Sequence, residues 1–385
     1  RISPEELRVD EMRLTLNEVK KRIDKMIPKG LDYDIDVEAG SIAIITHTPQ
    51  EFGKGGGESL TVKIAKSIKR RVVIRPHVDL LLSEDEVEQK IMETIPNEAM
   101  VRNIFIDPAL SEVTIECDDP STAVGHKGTI IQSLRDEIGW LVNVTRAPAF
   151  ESRTQHDIRR YRREMADDRR GLLRKFGTRI YRPKRPGQPW ARITALGSYR
   201  EVGRAMHLVT TNESKVLVDV GAKPTVNKNE VQPFFNAPEL LPLDNIDAVV
   251  LTHAHVDHIA MLPVLFRYGY RGPVYCTPPT RDLMTLLQID YIKVAQAEGT
   301  DPPYSKADIQ ECIKHVVDIG HGAKTDIAPD IKISMENAGH ILGSSSVYMH
   351  IGEGSHEHRL LFSGDIKYEK SWLFDAATVR FPKAD

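Results

Sequence analysis

Cysteine is scarce in this 385-residue sequence: there are three, Cys117, Cys276 and Cys312, widely separated and without a C-x-x-C pair. That argues against zinc held by sulfur and for a reducing compartment, so a cytoplasmic location is expected. No apolar run approaches the roughly 18–20 residues of a membrane span, and no secretory signal opens the chain, so no membrane partner is expected. An excess of either charge is also missing. The 52 Lys and Arg against 55 Asp and Glu leave a formal net charge of −3, which by itself names no polyanionic partner; local distribution has to make that case. What remains, 41% hydrophobic and 28% charged residues, suits a globular protein. At this length two or three domains are expected rather than one core.

Against that background one stretch stands out, Thr252-His253-Ala254-His255-Val256-Asp257-His258. The run before it, Asp247 to Thr252, is short, β-branched and apolar, as in a strand covered on both faces. The run after it, Ile259 through Phe266, has helical spacing and stops at Tyr268-Gly269. The ligand-type residues therefore fall in a strand-to-helix loop. In extended backbone His253 and His255 point the same way, because side chains alternate with period two. Asp257 and His258 lie where the chain turns into the helix and can reach a second position nearby. One cluster can thus serve two adjacent metal ions sharing a water. A polar loop whose histidines merely cap a helix is the plainer reading, and three histidines and an aspartate in six residues argue against it.

Two later segments complete such a site. Asn337 to Ser344 lies between alternating strands (Ile331, Ile333, Met335 and Val347, Met349, Ile351), which places His340 in a glycine-flanked loop. Leu360 to Asp365 reads as a buried strand ending in a carboxylate able to bridge two cations. Of the other histidines, His207 falls within a strand, His315 and His321 at a helix end and a loop, and His356 and His358 in a surface hairpin turn, Gly352 to His358. The helices expected at Arg281 to Ala297 and Ala307 to Val316 carry core-facing apolar stripes.

The first 150 residues contain an internal repeat of about 70 residues. In the first copy, Glu6 to Met26 is an amphipathic helix, Tyr33–Val37 and Ser41–Thr46 form a hairpin around Ala39-Gly40, and Gly53-Lys54-Gly55-Gly56 precedes a helix with Leu60, Ile64, Ala65 and Ile68 on one face. Val72–Ile74 is its last strand. In the second, Glu84 to Ile95 is the helix, Val101–Ile106 and Glu112–Cys117 the strands, and Gly125-His126-Lys127-Gly128 the loop. A helix through Ile138 and a strand at Trp140–Val144 finish the copy. This order with a G-x-x-G resembles a tandem pair of prokaryote-type KH domains. Two glycines let backbone lie against a sugar–phosphate run while the following helix N-terminus faces phosphate, and Lys54 and Lys127 add charge. A single G-x-x-G is usually an ordinary turn; its repetition in matching context favours RNA binding at Gly125, His126, Lys127 and Gly128. The first loop, Gly53, Lys54, Gly55 and Gly56, is a candidate for the same RNA binding, but it is Gly-rich through Gly57 and followed by Glu58, departs from the pattern and reads also as structural.

Glu151 to Pro186 is arginine-rich (Arg159, Arg160, Arg162, Arg163, Arg169, Arg170, Arg174, Arg179, Arg182, Arg185), tempered by Glu164, Asp167 and Asp168. It reads equally as a solvated helical spacer laced with local ion pairs or as a clamp for an RNA backbone, whose binding would then depend on salt.

In this order, a strand ending in Asp219-Val220-Gly221, the His-x-His-x-Asp-His run, a glycine-flanked His340 and Ser-Gly-Asp365 resemble the metallo-β-lactamase fold. Gly197 to Arg204 looks like the opening strand and turn of its nucleic-acid-processing β-CASP branch. With the KH-like repeat in front, the chain resembles the archaeal homologues of the cleavage and polyadenylation specificity factor nuclease. The expected fold class is then α+β: two KH domains (1–82 and 83–150), an arginine-rich linker (151–188), and an αββα metallo-β-lactamase domain (189–385). That last domain would be incomplete, without the β-CASP cassette. The resemblance implies two Zn2+, with His253, His255 and His340 on one, Asp257 and His258 on the other, and Asp365 between them. Asp257 would accept a proton from the nucleophile, and Asp219 would steady the histidine loop. A late histidine ligand and a leaving-group acid would lie beyond Asp385, and both ends look cut, so little activity is expected of these residues alone. The implied function is a zinc-dependent endoribonuclease on single-stranded RNA in transcript 3′-end processing or termination. Transcription-machinery partners and a homodimer formed through other parts would accompany it. A 5′-to-3′ exoribonuclease, a non-catalytic RNA-binding partner and a small-molecule metallohydrolase are the alternatives.

Overall fold

A computed structural model describes residues 14–53, 58–183, 185, 190–223, 231–352 and 357–385. Two compact units emerge, one of Asn17–Arg174 and one of Lys175–Asp385 with residues 14–16. The division falls within a helix of the arginine-rich segment.

In the first unit, α1 (Leu16–Met26) buries Val19 and Ile23, a pair spaced one turn apart. Residues 6–13 of the longer helix read from the sequence lie outside the described residues. A two-residue turn with Ala39 at φ 49° joins β1 (Asp34–Glu38) to β2 (Ser41–Thr46). The short α2 (Pro49–Gly53) follows, then α3 (Leu60–Ile68), whose N-cap Ser59 accepts from Val62 N–H. β3 (Arg71–Pro76) pairs in parallel with β2. The second copy repeats this pattern: α4 (Glu84–Thr94), β4 (Val101–Asp107), β5 (Glu112–Cys117), α5 (Pro120–Val124), α6 (Thr129–Ile138) and β6 (Leu141–Arg146). Again the first two strands are antiparallel and the third is parallel to the second. Val87, Ile91, Leu134, Ile138, Val113 and Ile115 form its core, each at 0% exposure, and burying each such side chain favours folding by about 1.5–3 kcal/mol.

The arginine-rich segment is two helices, α7 (Arg153–Glu164) and α8 (Ala166–Ile180). Most of its guanidinium groups are occupied by the protein's own carboxylates, contrary to a clamp free to hold phosphates. Arg159 binds Glu116, Arg162 and Arg169 bind Asp107, Arg163 binds Glu84, and Arg174 binds Asp36. Arg160 and Arg170 pair locally with Asp157 and Asp167.

The second unit is two facing sheets. The first has the order β12-β11-β10-β9-β8-β7, with β7 (Ala191–Gly197), β8 (Met206–Thr211), β9 (Lys215–Val218), β10 (Ala248–Val250), β11 (Val274–Cys276) and β12 (Val316–Asp318). β7 to β9 form an antiparallel meander, and β9 to β12 are parallel. The second sheet is antiparallel throughout: β13 (Lys324–Ala328), β14 (Ile331–Asn337), β15 (Ser345–Ile351) and β16 (His358–Phe362). Val216, Val218, Ala248, Val250 and Tyr275 of the first pack on Ile331, Ile333, Met335, Val347 and Met349 of the second. Helices α9 (Val256–Ile259), α10 (Leu262–Arg267), α11 (Pro278–Ala297) and α12 (Lys306–His315) complete the unit. Among the described residues no helix is long and apolar enough to cross a membrane.

Two sequence expectations are corrected. Helix begins at Val256, before Ile259, and breaks near Ala260–Met261 because Pro263 has no N–H for a continuing turn. β16 is not buried: it is the edge strand of its sheet and is half-exposed, and Asp365 lies three residues past its end. His358 opens that strand, while His356 lies outside the described residues.

Asp247 holds the entrance to β10. Its oxygens accept from Arg179 Nε (2.7 Å), Arg182 Nη1 (2.7 Å) and Lys215 N–H (3.0 Å), and the residue is buried. Asp247→Ala would leave two arginines without their shared counter-charge, so a loss of about 3 kcal/mol is expected from denaturant unfolding.

Candidate metal centre

Parallel pairing builds the site. Val218 lies opposite Val250, so the residues following these two strand ends share one edge. Asp219 leaves β9 in left-handed backbone (φ 58°) and turns its carboxylate on the histidine loop. Oδ1 accepts from Thr252 N–H and Oδ2 from Thr252 Oγ1, both at 2.8 Å. His258 Nδ1 lies 2.8 Å from the same Oδ2. Thr252 in turn receives Ser345 N–H on its carbonyl at 2.8 Å, which ties the second sheet's loop to the first sheet. Within that loop Ser344 Oγ accepts from His340 N–H (3.1 Å) and Ile341 N–H (3.2 Å), fixing His340 toward the cluster.

The side chains converge as two donor sets. In the first, His255 Nδ1 is 3.1 Å from His253 Nε2 and 3.1 Å from His340 Nε2. Asp365 Oδ2 lies 3.5 Å from His340 Nε2 and 3.7 Å from His253 Nε2. In the second, His258 Nε2 faces Asp257 Oδ2 at 3.7 Å and the other oxygen of Asp365, Oδ1, at 3.6 Å. A ring nitrogen has one in-plane lone pair or one N–H, so hydrogen bonding cannot satisfy both imidazoles crowded on His255 Nδ1. A tetrahedral dication with ligand bonds of about 2.0–2.1 Å would set its donors about 3.3 Å apart. The first set fits that spacing, and its four residues have their ligand atoms within 4.8 Å of one another.

Electrostatics separate the histidines. Burial, reinforced by the charge on His258, holds His253 down to about 3. Burial also opposes a charged His258, but Asp219, Asp257 and Asp365 outweigh it and push it up to about 9. Asp219 is held below the usual carboxylate range: full burial would raise it, and the His258 charge and hydrogen bond overcome this.

Residues 200–384 match the family described as the metallo-beta-lactamase superfamily, and residues 13–81 match the KH domain of transcription termination factor FttA. A protein named transcription termination factor FttA from Methanosarcina mazei is 40% identical over 371 residues, 96% of this chain and 58% of that protein. Its namesake from Thermococcus kodakarensis is 41% identical over 377 residues, and that from Pyrococcus abyssi 40% over 387. This chain combines a KH domain with a metallo-β-lactamase domain and is similar along nearly its whole length to proteins named transcription termination factor FttA. It spans about 58% of the length of these curated relatives. Among solved structures, Rm3 metallo-beta-lactamase aligns with 46% of the chain and 61% of its own at 18% identity and a TM-score of 0.29.

Two polar residues of this KH–metallo-β-lactamase chain join the site without a motif to mark them, Thr252 and Ser344. Their signal is position alone: Thr252 is a hydroxyl beside His253 at a strand end, and Ser344 is one just before the strand that follows the His340 loop. A cleft of about 490 Å³ opens on the second donor set, lined among others by Glu201, His207, Asp257 and Asp365. Glu201 forms ion pairs there with Arg204 and Lys223 (2.8 Å), and these pairs hold it down to about 2. In the second copy, Gly125 (φ 75°), Lys127 (φ 52°) and Gly128 (φ 80°) make a tight turn ahead of α6, with His126 and Lys127 exposed. In the first copy, Gly53 ends α2, whereas Lys54, Gly55 and Gly56 lie outside the described residues.

Asp219→Asn keeps the shape but loses the charge that orients His258. Metal affinity at the second donor set is expected to fall about 10- to 100-fold, read by competitive titration with a chelating dye. Unchanged affinity would mean that Asp219 serves the fold alone.

Proposed function

We propose that this protein is a zinc-dependent endoribonuclease acting on single-stranded RNA during transcription termination or 3′-end processing. The KH loops are proposed to hold the RNA. The observation that carries the reading is the pair of donor sets sharing Asp365, in a chain whose relatives are named as termination factors. Because the chain spans 58% of a relative's length, cleavage is proposed for a protein of the relatives' full length. The 385 residues themselves are proposed to bind metal and RNA with little turnover.

His253, His255, His340 and Asp365 Oδ2 would hold one zinc, and Asp257, His258 and Asp365 Oδ1 a second. When bound, the ions supply Lewis-acid activation of water and neutralise charge on a phosphoryl group. The remaining work belongs to the chain. Asp219 fixes the orientation of His258, so that Nε2 rather than Nδ1 faces the cleft. Asp257 lines that cleft and is the proposed acceptor of the proton released by the attacking water. Gly125 and Gly128 carry no side chains to hold off a phosphate run, and His126 and Lys127 stand beside it.

Circular single-stranded RNA tests the reading, because an exonuclease leaves a circle intact. The full-length protein is expected to linearise it; an intact circle, with linear RNA of the same sequence degraded, would replace the endonuclease by the 5′-to-3′ exonuclease. RNA recruitment is checked separately on the chain itself. His126→Asp combined with Lys127→Asp is expected to weaken RNA binding at least about tenfold, about 1.4 kcal/mol, with zinc content unchanged.

A further inference from the structure

We propose that the first KH copy carries a separate binding site for a transition-metal dication, made by His47, His77 and Asp79. None of the three belongs to the G-x-x-G loops or to the histidine cluster of the second unit.

Chain topology brings the residues together. β2 and β3 run parallel with Thr46 opposite Pro76, so His47 and His77, each one residue past its strand end, come side by side. His77 N–H donates to Thr46 carbonyl at 2.9 Å, and the two imidazoles stack with centroids 4.0 Å apart at an interplanar angle of 27°. A single 3-10 turn, Val78–Leu80, follows at once and brings Asp79 back to the two rings. Asp79 Oδ2 lies 3.2 Å from His77 Nδ1 and 3.8 Å from His47 Nε2. The ligand atoms of the three residues are all within 4.8 Å of one another.

The arrangement behind His47 is what points to a cation rather than a chance cluster. Asp32 Oδ2 sits 2.7 Å from His47 Nδ1. A carboxylate at that nitrogen holds the proton on Nδ1 and leaves the Nε2 lone pair directed at Asp79, the carboxylate–histidine arrangement that accompanies metal ligands. Two imidazole nitrogens and one carboxylate oxygen suit Zn2+ and its neighbours, not Mg2+ or Ca2+, which take oxygen ligands. The His47–Asp79 separation exceeds the roughly 3.3 Å donor spacing of a tetrahedral ion. Asp79 is exposed, so a change of side-chain rotamer closes the gap. With three protein ligands a fourth position stays open to solvent or to another donor. An ion there would tie the segment entering α2 to the end of β3, so it would stiffen this end of the sheet.

The test counts zinc. The native chain and His47→Ala combined with His77→Ala are dialysed against micromolar Zn2+, and bound metal is measured by atomic absorption. The double variant is expected to hold one zinc fewer per chain, with circular dichroism unchanged. Asp79→Asn, at an exposed position that leaves both rings in place, should lower affinity at the same site. Asp32→Asn should weaken it about 10- to 100-fold. Equal zinc content in the native chain and the double variant would overturn the proposal, as would equal affinity after Asp79→Asn. Either result leaves the second-unit centre untouched, because all four substitutions lie in the first unit.

Discussion

His255→Ala is expected to empty the first donor set of the second unit. His255 Nδ1 stands at its middle, 3.1 Å from both His253 Nε2 and His340 Nε2. Removing it leaves three donors without the one that both other imidazoles face. Loss of a group that merely orients a ligand costs about 10- to 100-fold in affinity, so loss of the ligand itself should exceed about 100-fold. Zinc per chain should fall by at least one, and cleavage of circular RNA by the full-length protein should drop below detection while RNA binding persists. His358→Ala, at the start of the edge strand β16, is the matched control and should keep its zinc. If His255→Ala retained native zinc content, the assignment of this cluster as the metal centre would fail.

The second large effect needs no ligand change. A methyl group on Gly221 would sit 1.6 Å from the carbonyl oxygen and 2.1 Å from the carbonyl carbon of Asp257, and 2.7 Å from His258 N. These are backbone atoms, and they are pinned: Asp257 carbonyl accepts from Ala205 N–H at 2.9 Å, and His258 carbonyl from Val220 N–H at 2.8 Å. No side-chain rotamer can relieve the overlap, so the 256–258 turn has to move by about an ångström or more. Overpacking of this kind costs about 1–3 kcal/mol, and Gly221→Ala is expected at the upper end. It should also weaken metal binding at the second donor set, because Asp257 and His258 move with their backbone. Denaturant midpoint and zinc titration on the same sample check both; a variant as stable as the native chain with unchanged zinc affinity would refute the argument.

How far the residues could be read in order differs between features. The KH repeat was legible because its signals are local: apolar spacing, a two-residue turn at Ala39-Gly40 and glycine loops at matching offsets. The histidine run was legible for the same reason, since a β-branched strand and a helical stretch bracket it. The arginine segment was not. Its eleven arginines look alike in sequence, and only folding brings Asp107, Glu116 and Asp36 to them, which is why a phosphate clamp and a spacer read equally well. His47 and His77 carry no local signal, because thirty residues separate them and only the parallel register of β2 and β3 makes them neighbours.

The order of residues thus determined which chemistry the chain carries, since imidazoles and carboxylates at strand ends have no purpose in a core and are costly to bury there. Tertiary structure alone decided how that chemistry is divided: which ring nitrogen faces the centre, that the two oxygens of Asp365 face different donor sets, and that Asp219 acts on His258 from behind. The reason is range. Secondary-structure period and turn type depend on neighbours a few residues away, whereas the 3–4 Å distances that define a metal site join residues up to 112 positions apart, as His253 and Asp365 are.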